Sequence, residues 1–290
     1  MNAHLLAHRA KAFDCLFDAV VVTDLNGIIT DWNNGAEALY GYSKEEAMGE
    51  LVSILHVPED IDRITAEVLA ALDEVGRWTG EIKMQHKDGS IGWVESICVP
   101  LLDSNDQAIG ALGINRDISV RMKESERLAH LAHYDYRTDI PNRFLVLDRV
   151  EHLIATSERN QSRFALVFID LNKFKMINDT KGHSFGDKVL VETALRLKQS
   201  IRSSDTAARM GGDEFLILLE SITDKDNVST KVELLTEALG EKFIIDGEAF
   251  EVGYSFGVAI YPDDGITAND LLFLADKAMY ISKRIKLSIP

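Results

Sequence analysis

The chain has few cysteines and lacks any long apolar run. Its two cysteines, Cys15 and Cys98, indicate neither a disulfide framework nor a cysteine metal cluster, and we expect two buried thiols in a reducing compartment. No apolar stretch approaches the roughly 18 residues that cross a bilayer. The first six residues also lack the charged-then-apolar layout of a signal peptide. The sequence therefore predicts a cytoplasmic protein without a membrane segment.

Positive charge is scarce as well. With 47 acidic residues against 31 Lys and Arg, the formal net charge is −16, which argues against a nucleic-acid partner because phosphate backbones bind clustered basic residues. The balance does not exclude a nucleotide, since a bound metal ion can reverse the local sign of a pocket. At 290 residues, the chain is long enough for two domains that each bury a core.

The first 117 residues have the pattern of a small α+β domain with hairpin turns. Apolar residues 19–24 and 28–32 flank Asn26-Gly27, a dipeptide typical of a β-hairpin turn. We expect three helical segments and three further strands, at 36–40, 45–48, 61–72, 80–86, 91–100 and 108–116.

Four short phrases in this region resemble a PAS domain, and they are Ile29–Asn33, Leu39–Ser43, Lys87–Ser90 and Arg116–Ser119. The resemblance implies an antiparallel sheet with flanking helices over residues 1–117, acting as a sensory and dimerising module. The sequence does not identify a ligand for it. Either an unknown ligand fills the cavity of this domain or the cavity holds none.

Residues 118–133 are rich in charge and free of Gly and Pro, which predicts a linker helix. Within this segment, spacings of four and three alternate, as in a helical seam, between Ile118, Met122, Ser125, Ala129 and Ala132. The seam is short and its members are mostly small or polar. A helix that couples two dimeric domains and a solvated connecting helix therefore both fit.

Two apolar strands surround an acidic turn in the second half. Phe164–Leu171 is apolar up to Asp170, which predicts a buried strand that carries this carboxylate to a sheet edge. Gly211–Glu214 precedes the apolar Phe215–Leu219, and this pattern predicts a hairpin whose amides can bind phosphate oxygens. Acids beside phosphates require a cation, and with Asp170 they suit Mg²⁺. Taken alone, the turn is more often an ordinary hairpin with solvated acids.

The segment from His133 to about Ile285 resembles the GGDEF family of diguanylate cyclases. The phrases that carry the resemblance occur in the family's order, and they are His133–Asp135, Thr138–Arg143, Phe168–Lys175, Ile177–Asp179, Gly182–Asp187, Gly211–Phe215, Ser255–Ala259 and Ala275–Tyr280. The resemblance implies a palm-like domain over residues 134–290, with a ferredoxin-like β-α-β-β-α-β core similar to nucleotidyl cyclases. It also implies that a homodimer condenses two GTP to cyclic di-GMP and two pyrophosphates.

The resemblance assigns roles to individual residues. Mg²⁺ or Mn²⁺ is expected on Asp170, the carbonyl of Leu171, and Asp213. The residues expected to take part in catalysis are Asp213, Glu214 and Lys277. The residues expected to bind GTP are Phe174, Lys175, Asn178, Asp187, Gly211 and Gly212.

Guanine selection is expected from Asn178 and Asp187. A carboxylate can accept from both N1–H and the exocyclic amine of guanine, a pair of donors that adenine lacks. Asp187 therefore favours two guanines over a mixed guanine–adenine product. Without the family, Asn178 would be a helix cap, and Asp187 would be the N-cap of a helix that follows it.

Arg202 and Asp205 match the family's RxxD site, which implies that cyclic di-GMP binds there and inhibits the enzyme. By themselves they would be a surface pair of opposite charge, in which the aspartate can orient the arginine.

The sequence also departs from the family. Ile281 stands where many members carry a basic residue, with Lys283 and Arg284 close by, and Asp139 stands where glycine is common. These departures leave an alternative, a weakly active or inactive GGDEF module that acts as a receptor for GTP or cyclic di-GMP.

Overall fold

The structure, a computed structural model, describes residues 3–287. The chain divides into two compact units between Arg127 and Leu128. In the first unit, helix α1 (Ala3–Asp14) precedes a five-stranded sheet. The sheet and its helices are β1 (Ala19–Thr23), β2 (Ile29–Trp32), α2 (Asn34–Tyr40), α3 (Lys44–Ala47), α4 (Ile61–Glu74), β3 (Trp78–Gln85), β4 (Ile91–Leu102) and β5 (Ala108–Asp117).

All neighbouring strands of this sheet are antiparallel, in the order β2-β1-β5-β4-β3. Its core contains the fully buried side chains Ile29, Trp32, Leu55 and Met84. Asn33 fixes the connection between β2 and α2, because its side-chain oxygen accepts from the amides of Val20 and Ala36, both at 2.8 Å. An antiparallel sheet with flanking helices was the expected fold, and it is confirmed.

The two cysteines are more exposed than their scarcity in the sequence led us to expect. Cys15 is exposed and Cys98 is half-buried, so the expectation of two buried thiols is wrong for Cys15. Burial raises the pKa of the Cys98 thiol. Among residues 3–287, no helix is both long enough and apolar enough to cross a bilayer.

Helix α5 (Ser119–His133) runs across the division between the units, and its side chains are exposed or half-buried. At its C-terminal end the His130 ring stacks on Tyr134, with centroids 4.4 Å apart. His130 Nε2 lies 2.7 Å from Asp139 Oδ1. Asp139 has a positive φ of 55°, a conformation in which aspartate is tolerated better than most residues. The seam and the solvated connecting helix both remain predictions.

The second unit is built on a four-stranded antiparallel sheet in the order β11-β6-β8-β7. Its elements are α6 (Arg143–Asn160), β6 (Arg163–Leu171), α7 (Phe174–Lys181), α8 (His183–Ser200), β7 (Thr206–Gly211), β8 (Glu214–Ile222), α9 (Lys225–Gly240), β9 (Phe243–Ile245), β10 (Glu248–Phe250), β11 (Tyr254–Tyr261) and α10 (Ala268–Leu287). Strands β6, β7, β8 and β11 with helices α8 and α9 form the expected β-α-β-β-α-β arrangement.

Helices cover both faces of this sheet, which explains why its central strands are continuously apolar. Val167 and Ile169 of β6 face one core and Leu166 and Phe168 the other. Helix α10 lies directly on β11 at Gly257. A Cβ at that position would stand 2.0 Å from the carbonyl oxygen of Ala275 and 2.1 Å from the amide of Met279, so only glycine permits this approach.

Candidate active site

The turn between β7 and β8 lies beside the end of β6. Asp170 of β6 is opposite Glu214 of β8 in the antiparallel register, and the Leu171 amide donates to the Asp213 carbonyl at 3.2 Å. Gly211 and Gly212 form the turn with φ of 139° and 54°, values that favour glycine. The hairpin predicted from the sequence is present, and it brings Asp170, Leu171, Asp213 and Glu214 to one end of the sheet.

The acids at this end repel one another. Burial raises the pKa of Asp170, Asp213 and Asp276 add to the rise, and Lys283 opposes it. Burial also raises the pKa of Glu214, with Asp276, Asp170 and Asp213 contributing and Arg143 opposing. Neighbouring negative charges that disfavour ionisation produce this pattern. The site is therefore one in which a bound cation would relieve repulsion.

Lys283 of α10 supplies a cation from within the chain. Its Nζ lies 2.5 Å from Asp170 Oδ1, and the Asp170 side chain is only 8% exposed. Lys277, the lysine expected from the sequence, is exposed six residues earlier on α10, and Ile281 is 51% exposed. From the sequence, Lys283 was expected only as a basic neighbour of Ile281. The ion pair with Asp170 makes Lys283 the stronger candidate for a basic residue of the site.

The donor set fits a hard divalent metal. Asp170 and Asp213 offer carboxylate oxygens, and Leu171 belongs to the same strand end. Within residues 3–287, no three His, Cys, Asp or Glu side chains converge as a metal site by themselves. A Mg²⁺ site that uses one or two carboxylates and completes its shell with substrate phosphates does not need such a group. The acids and the turn amides therefore suit a metal that arrives with a nucleotide.

The residues expected to bind guanine lie on α7 and α8, the two helices that follow β6. Asn178 lies within α7, and its side chain rests on Gly186 of α8, where a Cβ would be 1.9 Å from Asn178 Oδ1. The same Cβ would be 3.3 Å from Cζ of Phe174. Gly186 thus lets Asn178 and Phe174 lie against the start of α8, next to Asp187. Lys175 is exposed on α7.

Helix α8 starts earlier than the sequence suggested. It begins at His183 with Gly182 as its N-cap residue, so Asp187 lies in its second turn and the alternative interpretation of Asp187 as an N-cap is wrong. Asn178 is also inside a helix rather than at a cap. The Asp187 carboxylate accepts from the Arg137 guanidinium through Oδ1, and both side chains are partly exposed. Asp187 is therefore held in place while still accessible to a ligand.

Arg209 makes contacts at the turn that the sequence did not predict. Its Nη1 lies 2.9 and 3.1 Å from the two carboxylate oxygens of Asp135. Its Nε and Nη2 donate to the Gly212 carbonyl at 3.2 and 2.7 Å. In the sequence Arg209 directly precedes Met210 and the double glycine, and this position was the feature that could have indicated a role at the turn. It ties the turn to the residues that follow the linker helix.

The RxxD pair lies at the opposite end of α8 from Asp187. This helix has 18 residues, so its ends are about 27 Å apart at 1.5 Å per residue. Arg202 is exposed, and it lines a cavity of about 330 Å³ together with Tyr134, Arg149 and Lys198. Basic side chains beside an aromatic ring suit an anionic ligand that carries bases.

Asp205 does not orient the Arg202 side chain, contrary to the sequence-based interpretation. Its Oδ1 accepts from the Glu220 amide at 3.0 Å and its Oδ2 from the Arg202 amide at 3.3 Å. Its side chain is 2% exposed, and Lys231 Nζ lies 3.6 Å from Oδ2. Asp205 therefore holds the loop, while Arg202 points outward from it.

Residues 132–287, more than half of the chain, match the family model described as "Diguanylate cyclase, GGDEF domain". The chain belongs to the GGDEF family of diguanylate cyclases. Residues 29–115 match the PAS fold, in agreement with the sheet of the first unit. The order of a PAS domain followed by a GGDEF domain, expected from the sequence, is confirmed.

Curated relatives match either most of this chain or little more than half of it. The bifunctional diguanylate cyclase/cyclic di-GMP phosphodiesterase MucR of Pseudomonas aeruginosa is 40% identical over 161 residues, which is 56% of this chain and 23% of MucR. The probable diguanylate cyclase DgcE of Escherichia coli is 30% identical over 272 residues, 93% of this chain and 25% of DgcE. The GGDEF chain spans about a quarter of the length of these relatives.

Solved GGDEF domains share the fold of the second unit. That of TpbB (YfiN) from Pseudomonas aeruginosa is 35% identical with a TM-score of 0.52, covering 53% of this chain and 90% of that one. The coiled coil and GGDEF domain of DgcB from Caulobacter crescentus, solved in complex with c-di-GMP, is 26% identical with a TM-score of 0.51. It covers 57% of this chain and 88% of DgcB.

Proposed function

We propose that this chain is a diguanylate cyclase that converts two GTP into cyclic di-GMP and two pyrophosphates. The observation that carries the proposal is the end of β6, where Asp170 is opposite Glu214 beside the Gly211-Gly212 turn. The turn leaves open space for a ligand, because a Cβ at either glycine would meet nothing within 4 Å. Because the substrate is GTP, we place the reaction in the cytoplasm.

Asp170, the Leu171 carbonyl and Asp213 would hold Mg²⁺ or Mn²⁺. A metal bound there would neutralise phosphate charge and make the 3′-hydroxyl more acidic. The amides of Gly211 and Gly212 would bind phosphate oxygens. Asp213 or Glu214 would accept the proton of the 3′-hydroxyl; the raised pKa of Glu214 brings it closer to the range in which a carboxylate works as a general base.

Guanine would be selected by Asn178 and Asp187, with Phe174 and Lys175 forming the wall beside the phosphates. Asp187 would accept from N1–H and the exocyclic amine. A site that leaves such an acceptor unpaired rejects the other base strongly. Lys283 replaces Lys277 in this proposal as the basic residue on the phosphate side, because it already reaches the acid cluster.

The reaction requires two copies of the chain. Each protomer would present one GTP, and each 3′-hydroxyl would attack the α-phosphorus of the facing GTP. A homodimer would thus form one product from two half-sites. The PAS domain and α5 would set the alignment of the two GGDEF domains.

Product analysis tests the proposal. Purified protein is incubated with GTP and Mg²⁺, with and without ATP, and nucleotides are separated by chromatography. We expect cyclic di-GMP with two pyrophosphates per product and no mixed dinucleotide. Asp213→Ala should abolish product, whereas Glu237→Ala, an exposed acid on α9, should leave it unchanged. Absence of product with the wild-type dimer would overturn the proposal.

A receptor is the second candidate, favoured by Ile281, which gives α10 an exposed apolar side chain where a basic one was expected. In this case no cyclic di-GMP forms, yet GTP or cyclic di-GMP binds. Loss of cyclic di-GMP binding in Arg202→Ala would then identify the cavity beside Arg202 as the receptor site.

Product inhibition is the proposed role of that cavity in the active enzyme. DgcB, a relative of known structure, was solved in complex with c-di-GMP. Here Arg149, Lys198 and Arg202 line one cavity, and their charges suit the two phosphates of such a product. Addition of cyclic di-GMP should slow the wild-type enzyme, and the slowing should depend on Arg202.

A further inference from the structure

Lys283 and Asp170 form a largely enclosed contact between opposite charges at the proposed active site. The ammonium lies 2.5 Å from Asp170 Oδ1, and the two side chains are 27% and 8% exposed. The same carboxylate is a metal ligand in the proposed function, on which this inference rests. A divalent metal on the same oxygen would be repelled by the ammonium, so the lysine and the metal compete for Asp170.

The fold delivers Lys283 to this place. Gly257 allows α10 to lie against β11, and Met279 of α10 is buried in the adjoining core. Lys283 is four residues after Met279, so both side chains are on the same face of the helix. The ammonium is therefore held at the end of β6 by packing of the helix, unlike that of Lys277, which is exposed.

The acids around the Lys283–Asp170 ion pair determine how the ammonium changes the affinity for a metal. Asp170, Asp213, Glu214 and Asp276 interact unfavourably with one another, and Lys283 offsets part of this repulsion. Removing the ammonium would leave a more negative site, which attracts a divalent cation more strongly. With the Lys283 ammonium in place, the site has a lower affinity for a metal ion that binds without a nucleotide.

We propose that Lys283 is an internal counter-ion of Asp170 which a divalent metal must displace, so that the nucleotide-free protein binds metal weakly. Nucleotide phosphates supply the displaced ammonium with a new partner. Metal and GTP then bind cooperatively, and by linkage each raises the affinity for the other by the same factor. Lys283 is thus a residue that disfavours the metal alone and favours the metal with its substrate.

The test measures Mn²⁺ binding without nucleotide, by the free-Mn²⁺ signal in electron paramagnetic resonance. Lys283→Met should bind Mn²⁺ roughly fivefold to tenfold more tightly than wild type, the size expected for loss of one competing ion pair. Lys277→Met removes the same charge from the same helix and should change the affinity less than about twofold. Asp170→Asn should abolish tight Mn²⁺ binding, both in the wild-type chain and in Lys283→Met.

Three further measurements complete the test. Lys283→Gln should reproduce Lys283→Met, and unfolding curves check that both variants fold. With a non-hydrolysable GTP analogue present, the advantage of Lys283→Met should shrink or reverse. An unchanged Mn²⁺ affinity in folded Lys283→Met, or an equal gain in Lys277→Met, would overturn the inference. Wild-type protein that makes no cyclic di-GMP would instead overturn the proposed function, which the Mn²⁺ measurement does not involve.

Discussion

Arg209 holds the carbonyl of Gly212 through two donors, Nε at 3.2 Å and Nη2 at 2.7 Å. Its remaining donor, Nη1, binds Asp135, the second residue after α5. The arginine side chain is 6% exposed and that of Asp135 17%. One buried guanidinium thus connects the end of the linker helix to the turn on which the proposed chemistry depends.

Replacing Arg209 should affect both stability and turnover. Arg209→Met leaves the half-buried Asp135 carboxylate without its charged partner, and we expect the free energy of unfolding to fall by about 3 kcal/mol. Arg209→Lys keeps the charge, but its ammonium cannot bind both Asp135 and the Gly212 carbonyl as the guanidinium does. The turn should then stabilise the transition state less well, so we expect kcat to fall about tenfold with little change in KM. Urea unfolding and steady-state rates test this. Wild-type values in both variants would remove Arg209 from the proposed site.

The Asp135–Arg209 pair should also make stability depend on pH. Burial tends to raise the pKa of Asp135, but hydrogen bonds from Thr138 and Arg209 outweigh it and lower the pKa overall. A lowered folded-state pKa means that the contribution is present above the unfolded-state value of about 3.9 and is lost as pH falls through the folded-state value. The difference in unfolding free energy between wild type and Asp135→Asn should therefore be largest near neutral pH and shrink below about pH 4. A difference independent of pH would contradict the ion pair.

Gly186→Ala and Gly257→Ala should have contrasting effects. A Cβ at Gly186 collides with the far end of the Asn178 side chain, which can move at little cost to stability. We expect KM for GTP to rise about tenfold, a loss of about 1.4 kcal/mol in binding, with a nearly unchanged melting temperature. A Cβ at Gly257 collides with the backbone of α10, and this variant should melt several degrees lower. Thermal melts and GTP titrations check both, and an unaltered KM in Gly186→Ala would remove Asn178 from guanine binding.

The RxxD pair should separate into a ligand residue and a structural one. Arg202→Ala should relieve inhibition by cyclic di-GMP while initial rates and stability remain those of wild type, because the side chain is exposed. Asp205→Ala leaves the half-buried amide of Glu220 without its acceptor, at a cost of about 1–3 kcal/mol. Inhibition curves and unfolding midpoints distinguish the two. Equal destabilisation by both substitutions would argue against this division of roles.

Local patterns sufficed to predict the strands and the turn of the GGDEF domain. The apolar run that ends at Asp170 and the double glycine at Gly211 are contiguous signals, and the structure reproduces the hairpin they predicted. The start of α8 was misplaced because Gly182 has no side chain that could serve as a recognisable cap. Helix boundaries set by backbone geometry leave little trace in the sequence.

Contacts between distant residues were the part that the sequence did not predict. Lys283 and Asp170 are 113 residues apart, and only the packing of α10 on Gly257 shows that this lysine reaches the acids. Arg209 and Asp135 are 74 residues apart. Asp205 was interpreted from its neighbour Arg202, whereas its main partner is the amide of Glu220, across the β7–β8 hairpin.

The register of β6 and β8 has an evolutionary consequence. Asp170 pairs with Glu214, and side chains alternate between the two faces along a strand. A slip of β8 by one residue against β6 would transfer every side chain of β8 to the opposite face, and the acids would no longer meet. Among descendants of this chain, selection should therefore preserve the register of β6 and β8 as strictly as the acids themselves.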